Sequence, residues 1–452
     1  MYLIRALITF GFFCALSALG SPASAQRSEA SPVLATPPPA AQGVNGHLDP
    51  ETATRAYLAT LPSDAKARSN AYTEGGHWLT LWDFIVYGGV FILLLATGVS
   101  SRMRDAAERL TRVRVLQNAL YWAQFLTLVT LLTLPWDFYE GFVREHAYGL
   151  SNLTVGGWSA EEAKSFVLFL VSGVMIVAVP YALARRIPKN WWILGSVIAI
   201  AIEFVFIVIA PVVLVPIFNS PKKLGDARVV SPVLRLARQN GIAVTDVWEI
   251  DASKQSKRIN ANVSGALGTE RITLNDNLLK RASVEEIEAV MGHEMGHYVL
   301  NHIYTGLLEL GLLTAIGFAI VAALFERLRV RYETSWRVRG VGDIAGVPLF
   351  ALLFTTYFFV ITPLTNTLVR TQEYEADLFG LNTARQPDGF AQIALKLSET
   401  RKLEPGVWEE RIFYDHPSGR TRIFTAMRWK AENLPVASGA TTPSASSASG
   451  NP

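Results

Sequence analysis

Ser283-Val-Glu-Glu-Ile-Glu-Ala-Val-Met-Gly-His293-Glu294-Met-Gly-His297-Tyr-Val-Leu-Asn-His302 decides how the rest of the chain is read. It opens with a capping box, in which Ser283 and Glu286 each satisfy one end of the other's backbone, and it reads as one helix. Inside it lies His-Glu-x-x-His. Residues four apart on a helix share a face, so His293 and His297 can place two imidazole nitrogens on one Zn²⁺. Glu294 beside them can take the proton of the attacking water and pass it to the leaving nitrogen of a peptide. With only seven histidines in the chain, chance gives this pattern in on the order of one such chain in several hundred. His302 lies outside the motif and reads as an interfacial histidine.

The surrounding chain belongs in a bilayer. Its 452 residues are 50% hydrophobic and 17% charged, with a mean hydropathy of +0.26, too apolar for a water-soluble enzyme of this size. Runs able to cross a membrane lie at about Trp78 to Val99, Gln117 to Pro135, Ser165 to Leu183, Trp191 to Leu214, Tyr304 to Phe325 and Pro348 to Val369. That makes six helices, or seven with the N-terminus. Residues 1 to 25 combine Arg5, an apolar run and a small-x-small site ending at Ala25, and read as a secretory signal or a first membrane helix. Residues 26 to 70 read as a periplasmic linker, its first half rich in Ala, Pro and Ser, and 436 to 452 as a disordered tail. The net charge of +3 collects in short loops around Arg104, Arg185 and Arg337, which marks topology rather than nucleic-acid binding. By the positive-inside rule these loops face the cytoplasm and the His-Glu-x-x-His segment faces the periplasm. A lone Cys14 excludes a cysteine metal site and a disulfide framework.

Between Ile217 and Ala282 the chain carries soluble-domain signals. Val230 to Asn240 reads as a helix, Asp246 to Asp251 as a strand, and Ala261 to Ala266 with Arg271 to Leu274 as a hairpin. Catalytic zinc needs a third protein ligand. Arg370-Thr-Gln-Glu373-Tyr-Glu375-Ala-Asp377 begins where the last apolar run ends, on the same membrane side as the histidines if the two intervening runs form a hairpin. Glu373 can complete the ligand set, and Asp377, one turn on, can accept a hydrogen bond from a ligating imidazole. Glu375 points to another face. His416, within Asp415-His416-Pro, is a candidate donor to the oxyanion.

The order of these motifs resembles the type I CAAX prenyl endopeptidases. Matching stretches include Leu134-Pro-Trp-Asp-Phe-Tyr139, Val215-Pro-Ile-Phe218, Ile259-Asn260-Ala261-Asn262-Val-Ser-Gly265, Met291 to His297, Arg370 to Asp377 and Asp415-His416-Pro. The resemblance implies an all-α membrane protein, a barrel of about seven helices around a water-filled chamber, joined to a small α+β metallopeptidase domain. It divides the chain into a transmembrane region at 71 to 216 and a metallopeptidase region at 217 to 435. It implies one zinc held by His293, His297 and Glu373, with Glu294 as general base. It also implies substrate or transition-state contacts at Asn260 and His416, a peptide paired to the strand through Ala261 and Asn262, and a chamber-lining Glu203. This chain departs from the family at Asn262-Val-Ser, where the family is aromatic, and in its secretory N-terminus. The expected protein is therefore an endopeptidase of a bacterial inner membrane, acting on envelope or membrane proteins rather than prenylated ones. The rival reading is a catalytically silent membrane chaperone that keeps the fold; the intact Glu294 favours the enzyme.

Overall fold

The structure, a computed structural model, describes residues 37–42, 47–209, 213–265 and 270–434. The expected signal segment and tail lie outside those residues. Among the described residues five helices are long and apolar enough to cross a membrane. They are α2 (Ser63–Ala96), α4 (Arg114–Phe138), α5 (Val155–Arg186), α10 (His302–Arg331) and α11 (Val347–Ala384). The sixth apolar run is also helical, as α6 (Trp191–Ile209). Its apolar part is described only over Trp191–Phe206, shorter than a span. Its Glu203 is buried, with Oε1 3.3 Å from Thr314 Oγ1 on α10, and so faces protein rather than lipid.

Several polar side chains inside the bundle find partners, as an apolar surrounding favours, while Tyr181 Oη and Glu203 Oε2 are buried without one. Tyr87 on α2 donates to Asp137 Oδ1 at 2.6 Å, and Trp136 Nε1 donates to Asp83 Oδ1 at 2.7 Å. The Trp-Asp pair of the Leu134 to Tyr139 stretch thus ties α4 to α2.

A second layer carries the chemistry. Four strands, β1 (Lys222–Lys223), β2 (Val247–Ile250), β3 (Ala261–Ser264) and β4 (Arg271–Asn275), form one sheet in the order β1-β2-β4-β3. The expected hairpin is the antiparallel pair β3 and β4, with Ala261 opposite Leu274. The helix expected at Val230 is α7 (Ala227–Gln239). Val233, Ile272, Met291 and Met295 join sheet, α7 and α9 (Val284–Val299) into one apolar core.

The Ser283 to His302 stretch is two helices, not one. Ser283 and Glu286 do form the capping box, but α9 ends at Val299 and Asn301 takes a left-handed conformation (φ 59°) before α10 starts at His302. Asparagine is among the few residues that accept this geometry readily. The turn lets the metal-motif helix leave the soluble layer while the chain enters the membrane.

Part of the expected linker is folded. Helix α1 (Pro50–Leu58) is capped by Asp49 and packs Ala53, Tyr57 and Leu58 against Phe390 of α12 (Pro387–Leu397) and Trp429 of α14 (Gly419–Asn433). Tyr57 donates to Asp388 Oδ1 at 2.8 Å, and Arg420 donates to Glu51 at 2.7 Å.

Helices α9 and α11 meet along small residues. A Cβ on Gly380 would lie 2.7 Å from His293 N, one on Gly292 3.0 Å from Gly380 O, and one on Gly296 3.1 Å from Ala376 Cα. Backbone meets backbone here, so nothing flexible can yield. Gly380→Ala is expected to push the two helices apart at a cost of about 1–3 kcal/mol and to release bound metal. Gly89→Ala, where a Cβ meets nothing within 4 Å, should do neither. Melting curves and metal content after dialysis against chelator distinguish the two.

Candidate metallopeptidase site

The glycine seam sets α9 beside the C-terminal third of α11, and three side chains converge. His293 Nε2 lies 3.2 Å from His297 Nε2 and 3.2 Å from Glu373 Oε2, and His297 Nε2 lies 3.5 Å from Glu373 Oε1. Tetrahedral ligands at about 2.1 Å from a common ion stand roughly 3.4 Å apart. The three side chains form the metal-ready His-His-Glu cluster found among the described residues.

Hydrogen bonds on the far side of each ring fix which nitrogen faces inward. His293 Nδ1 donates to Asp377 Oδ1 at 2.8 Å, so its Nε2 presents a lone pair to the cluster. His297 Nδ1 lies 3.0 Å from His302 Nδ1, and His302 Nε2 lies 3.2 Å from Glu375 Oε2. Glu375 accepts a hydrogen bond from His302 Nε2–H, leaving Nδ1 to accept from His297 and aiming a second lone pair inward. Two lone pairs facing a carboxylate repel one another unless a cation lies between them. Glu373 Oε2 agrees with this: it is buried and makes no hydrogen bond, though two imidazoles are near. The donor set fits a metal ion.

His302 is therefore not interfacial. It is buried, and it orients a metal-motif histidine from the first residue of the next helix. Glu375, which points away from the cluster as expected, is its partner. Asp377 is held in turn by Arg422, with Nε 2.9 Å from Oδ2 and Nη2 2.5 Å from Oδ1.

His416 comes to the same place from the far end of the chain. Its Nε2 lies 3.2 Å from Glu373 Oε2, and its Nδ1 donates to Asp415 Oδ1 at 2.8 Å. Burial pushes the Asp415 carboxyl up, but His416 and Arg401 outweigh it and hold Asp415 well below the usual carboxylate range. The loop is anchored by Arg370 Nη1, which donates to Tyr414 O at 2.5 Å and to Glu410 O at 3.0 Å. Burial also raises the Glu294 carboxyl, and His293 and His297 oppose it without cancelling the rise.

Asn260 precedes β3, and β3 is an edge strand whose outer side carries no partner strand among the described residues. Ala261 is buried, and Asn262 Oδ1 is buried without a hydrogen bond. Spacing could not reveal Arg370 or Arg422 as supports, because each acts on a residue brought near only by folding, and it did not mark His302 or Asp415, which lie five residues and one residue from the histidines they hold.

A bundle of membrane-crossing helices with a metal-ready cluster on its soluble layer defines a membrane metallopeptidase. The sequence agrees over almost its whole length. The model of peptidase family M48 matches residues 223–430, and that of the CAAX prenyl protease N-terminal region, five membrane helices, matches residues 50–220. The uncharacterized metalloprotease YhfN of Bacillus subtilis is 30% identical over 348 residues, covering 76% of this chain and 81% of its own. CAAX prenyl protease 1 of Saccharomyces cerevisiae is 27% identical, covering 70% of this chain and 73% of its own. The crystal structure of S. mikatae Ste24p has the same fold, with a TM-score of 0.63 at 22% identity over 94% of this chain and 98% of that one. The chain belongs to peptidase family M48, whose members carry a metal cofactor, and is a multi-pass membrane metalloprotease.

His302→Ala and Asp377→Asn each free one inward-facing ring to turn. Each is expected to weaken metal binding about 10- to 100-fold with the helical content unchanged, measured by competition with a chromophoric chelator.

Proposed function

We propose that the protein is a zinc endopeptidase in which His293, His297 and Glu373 hold the ion, one per chain. Two imidazoles and a carboxylate, with no cysteine, are a catalytic zinc donor set. Zinc there would acidify a water and polarise the scissile carbonyl. Glu294, next to the first ligand and raised by burial, accepts the proton of the attacking water and hands it to the leaving nitrogen. His416, with Asp415 accepting at Nδ1, donates from Nε2 to the oxygen that gains charge. The substrate lies as an added strand on β3, where main-chain pairing along Ala261 and Asn262 holds it extended beside α9. Asn260 and the unsatisfied Asn262 Oδ1 take its polar groups. Such pairing reads backbone rather than side chains, which suits a broad set of clients.

The same reading places the protein in a bacterial inner membrane with this site on the periplasmic side. The three arginine-rich loops pack together at the opposite end: Arg104 Nη1 lies 2.5 Å from Asp343 Oδ2, Arg339 Nη1 2.9 Å from Glu108 Oε1, and Arg185 Nη1 3.3 Å from Gly342 O. Helix α1, which precedes the first described span, docks on the metallopeptidase layer, as a translocated N-terminal segment would. The clients are then unfolded or misassembled envelope and membrane proteins.

The lone-pair convergence of His293, His297 and Glu373 beside Glu294 carries this proposal. Glu294→Gln should keep zinc at one ion per chain and lose cleavage of a flexible quenched-fluorescence peptide by about 100- to 10,000-fold. Equal cleavage by both forms removes Glu294 from its role. Reporter fusions at Arg109 and after Asn433 test sidedness: the first should be active only with a cytoplasmic reporter, the second only with a periplasmic one.

A further inference from the structure

At the arginine-rich end, about 40 Å along α11 from Glu373 by helix rise, lies a cavity of about 400 Å³ that proteolysis does not use. Its wall includes Arg104, Arg114, Arg185 and Arg339 against only two carboxylates, Glu108 and Asp343. The pairing among them is uneven. Arg104 is buried on Asp343 and also pairs with Asp105 at 2.7 Å, and Arg339 is held by Glu108 and lies 3.3 Å from Asp105. Arg114 reaches Glu108 only at 3.9 Å. Arg185 meets no carboxylate among the described residues, and its printed hydrogen bond is to the carbonyl of Gly342. A Cβ on Gly342 would fall 2.6 Å from Arg185 Cγ, so the glycine lets the arginine stem lie flat on the pocket wall. Two positive side chains thus border the same space with little to neutralise them.

An independent feature points into the same cavity. Helix α4, 25 residues long, starts at Arg114 with Val113 as its N-cap, no side-chain cap and no acid in its first turn. Arg114, Gln117 and Asn118 of that first turn line the pocket. The positive end of the α4 dipole thus lies beside a space already rich in guanidinium. Bidentate guanidinium donors, amide side chains and a bare helix N-terminus together suit a tetrahedral oxyanion carrying one or two charges.

We propose that this pocket binds a phosphate group. Arg114 and Arg185 supply the charge, the positive end of the α4 dipole adds to it, and Asn118 and the second N–H of the Gln117 amide, whose first is held by Thr111 O, complete the shell. The pocket stands where the start of α4, the end of α5 and the loop before α11 meet, with Pro188, just before α6, in its wall. That is the level of a lipid headgroup, so the phosphodiester of an anionic phospholipid such as phosphatidylglycerol is one source and soluble phosphate the other.

The test uses delipidated full-length protein in a mild detergent, with thermal unfolding followed on addition of phosphatidylglycerol, phosphatidylcholine or inorganic phosphate. Phosphatidylglycerol should raise the Tm and phosphatidylcholine should not. The double variant Arg114→Gln/Arg185→Gln should need about 30-fold more phosphatidylglycerol for the same shift, at roughly fivefold per lost charge, while cleaving peptide as the parent does. Should that variant fold poorly, Glu108→Gln provides the converse arm, since removing an acid from the rim should lower the half-saturating lipid concentration about fivefold. If millimolar inorganic phosphate alone gives the full shift and abolishes the response to lipid, the site stands and its ligand is soluble phosphate. Equal shifts with both lipids, or a parent-like response from both variants, overturn the proposal.

Discussion

Two helix backbones come into direct contact along Gly292, Gly296, Ala376 and Gly380, and the rest of the site depends on how close they come. A His293 ring is only a few ångströms long, as is a Glu373 side chain. Their tips can reach a common point only if the helices carrying them are separated by no side chain at the crossing. The glycines therefore do more than permit packing. They set the reach of the donor atoms, and they do so with rigid main chain rather than adjustable side chains.

Around that crossing the electrostatics form a closed arrangement. Each metal-facing ring is supported from behind by a group that is itself supported: Asp377 by Arg422, and His302 by Glu375. The charges alternate outward from the cluster on the Asp377 side, where the carboxylate lies between His293 and Arg422. The two supports differ in kind. An anionic carboxylate would strengthen His293 as a donor to a bound metal, whereas a neutral imidazole would do so less for His297. The cluster is accordingly asymmetric, with the more strongly supported ring on the side away from the turn at Asn301.

What could be read from sequence follows a simple physical division. His293, Glu294 and His297 were legible because helical spacing alone puts them together. Glu373 and Asp377 were legible because a membrane hairpin returns the chain to the same side. The six apolar runs were found, but α6 is described only to a length short of a span. The break at Asn301 stayed hidden because left-handed geometry costs asparagine little and leaves no signature in the hydrophobic pattern. The folding of Pro50–Leu58 was hidden for a different reason. Its composition is polar and unremarkable, and only contact with Phe390 and Trp429 from the opposite end of the chain makes it a helix worth forming. Arg422 and Asp415 were visible as letters next to His416, yet their roles exist only in the folded arrangement.

That contact between α1 and the C-terminal helices has a bearing on biosynthesis. The ribosome finishes residues 47–61 long before residues 387–433 exist, so during insertion into the membrane the early helix has nothing to rest on. Glu373 and His416 also arrive late, after all the apolar segments have been made. The packing of α1 on α12 and α14 can form only after α14 has been translated. The soluble layer therefore closes late in synthesis, after the spans it rests on have been made.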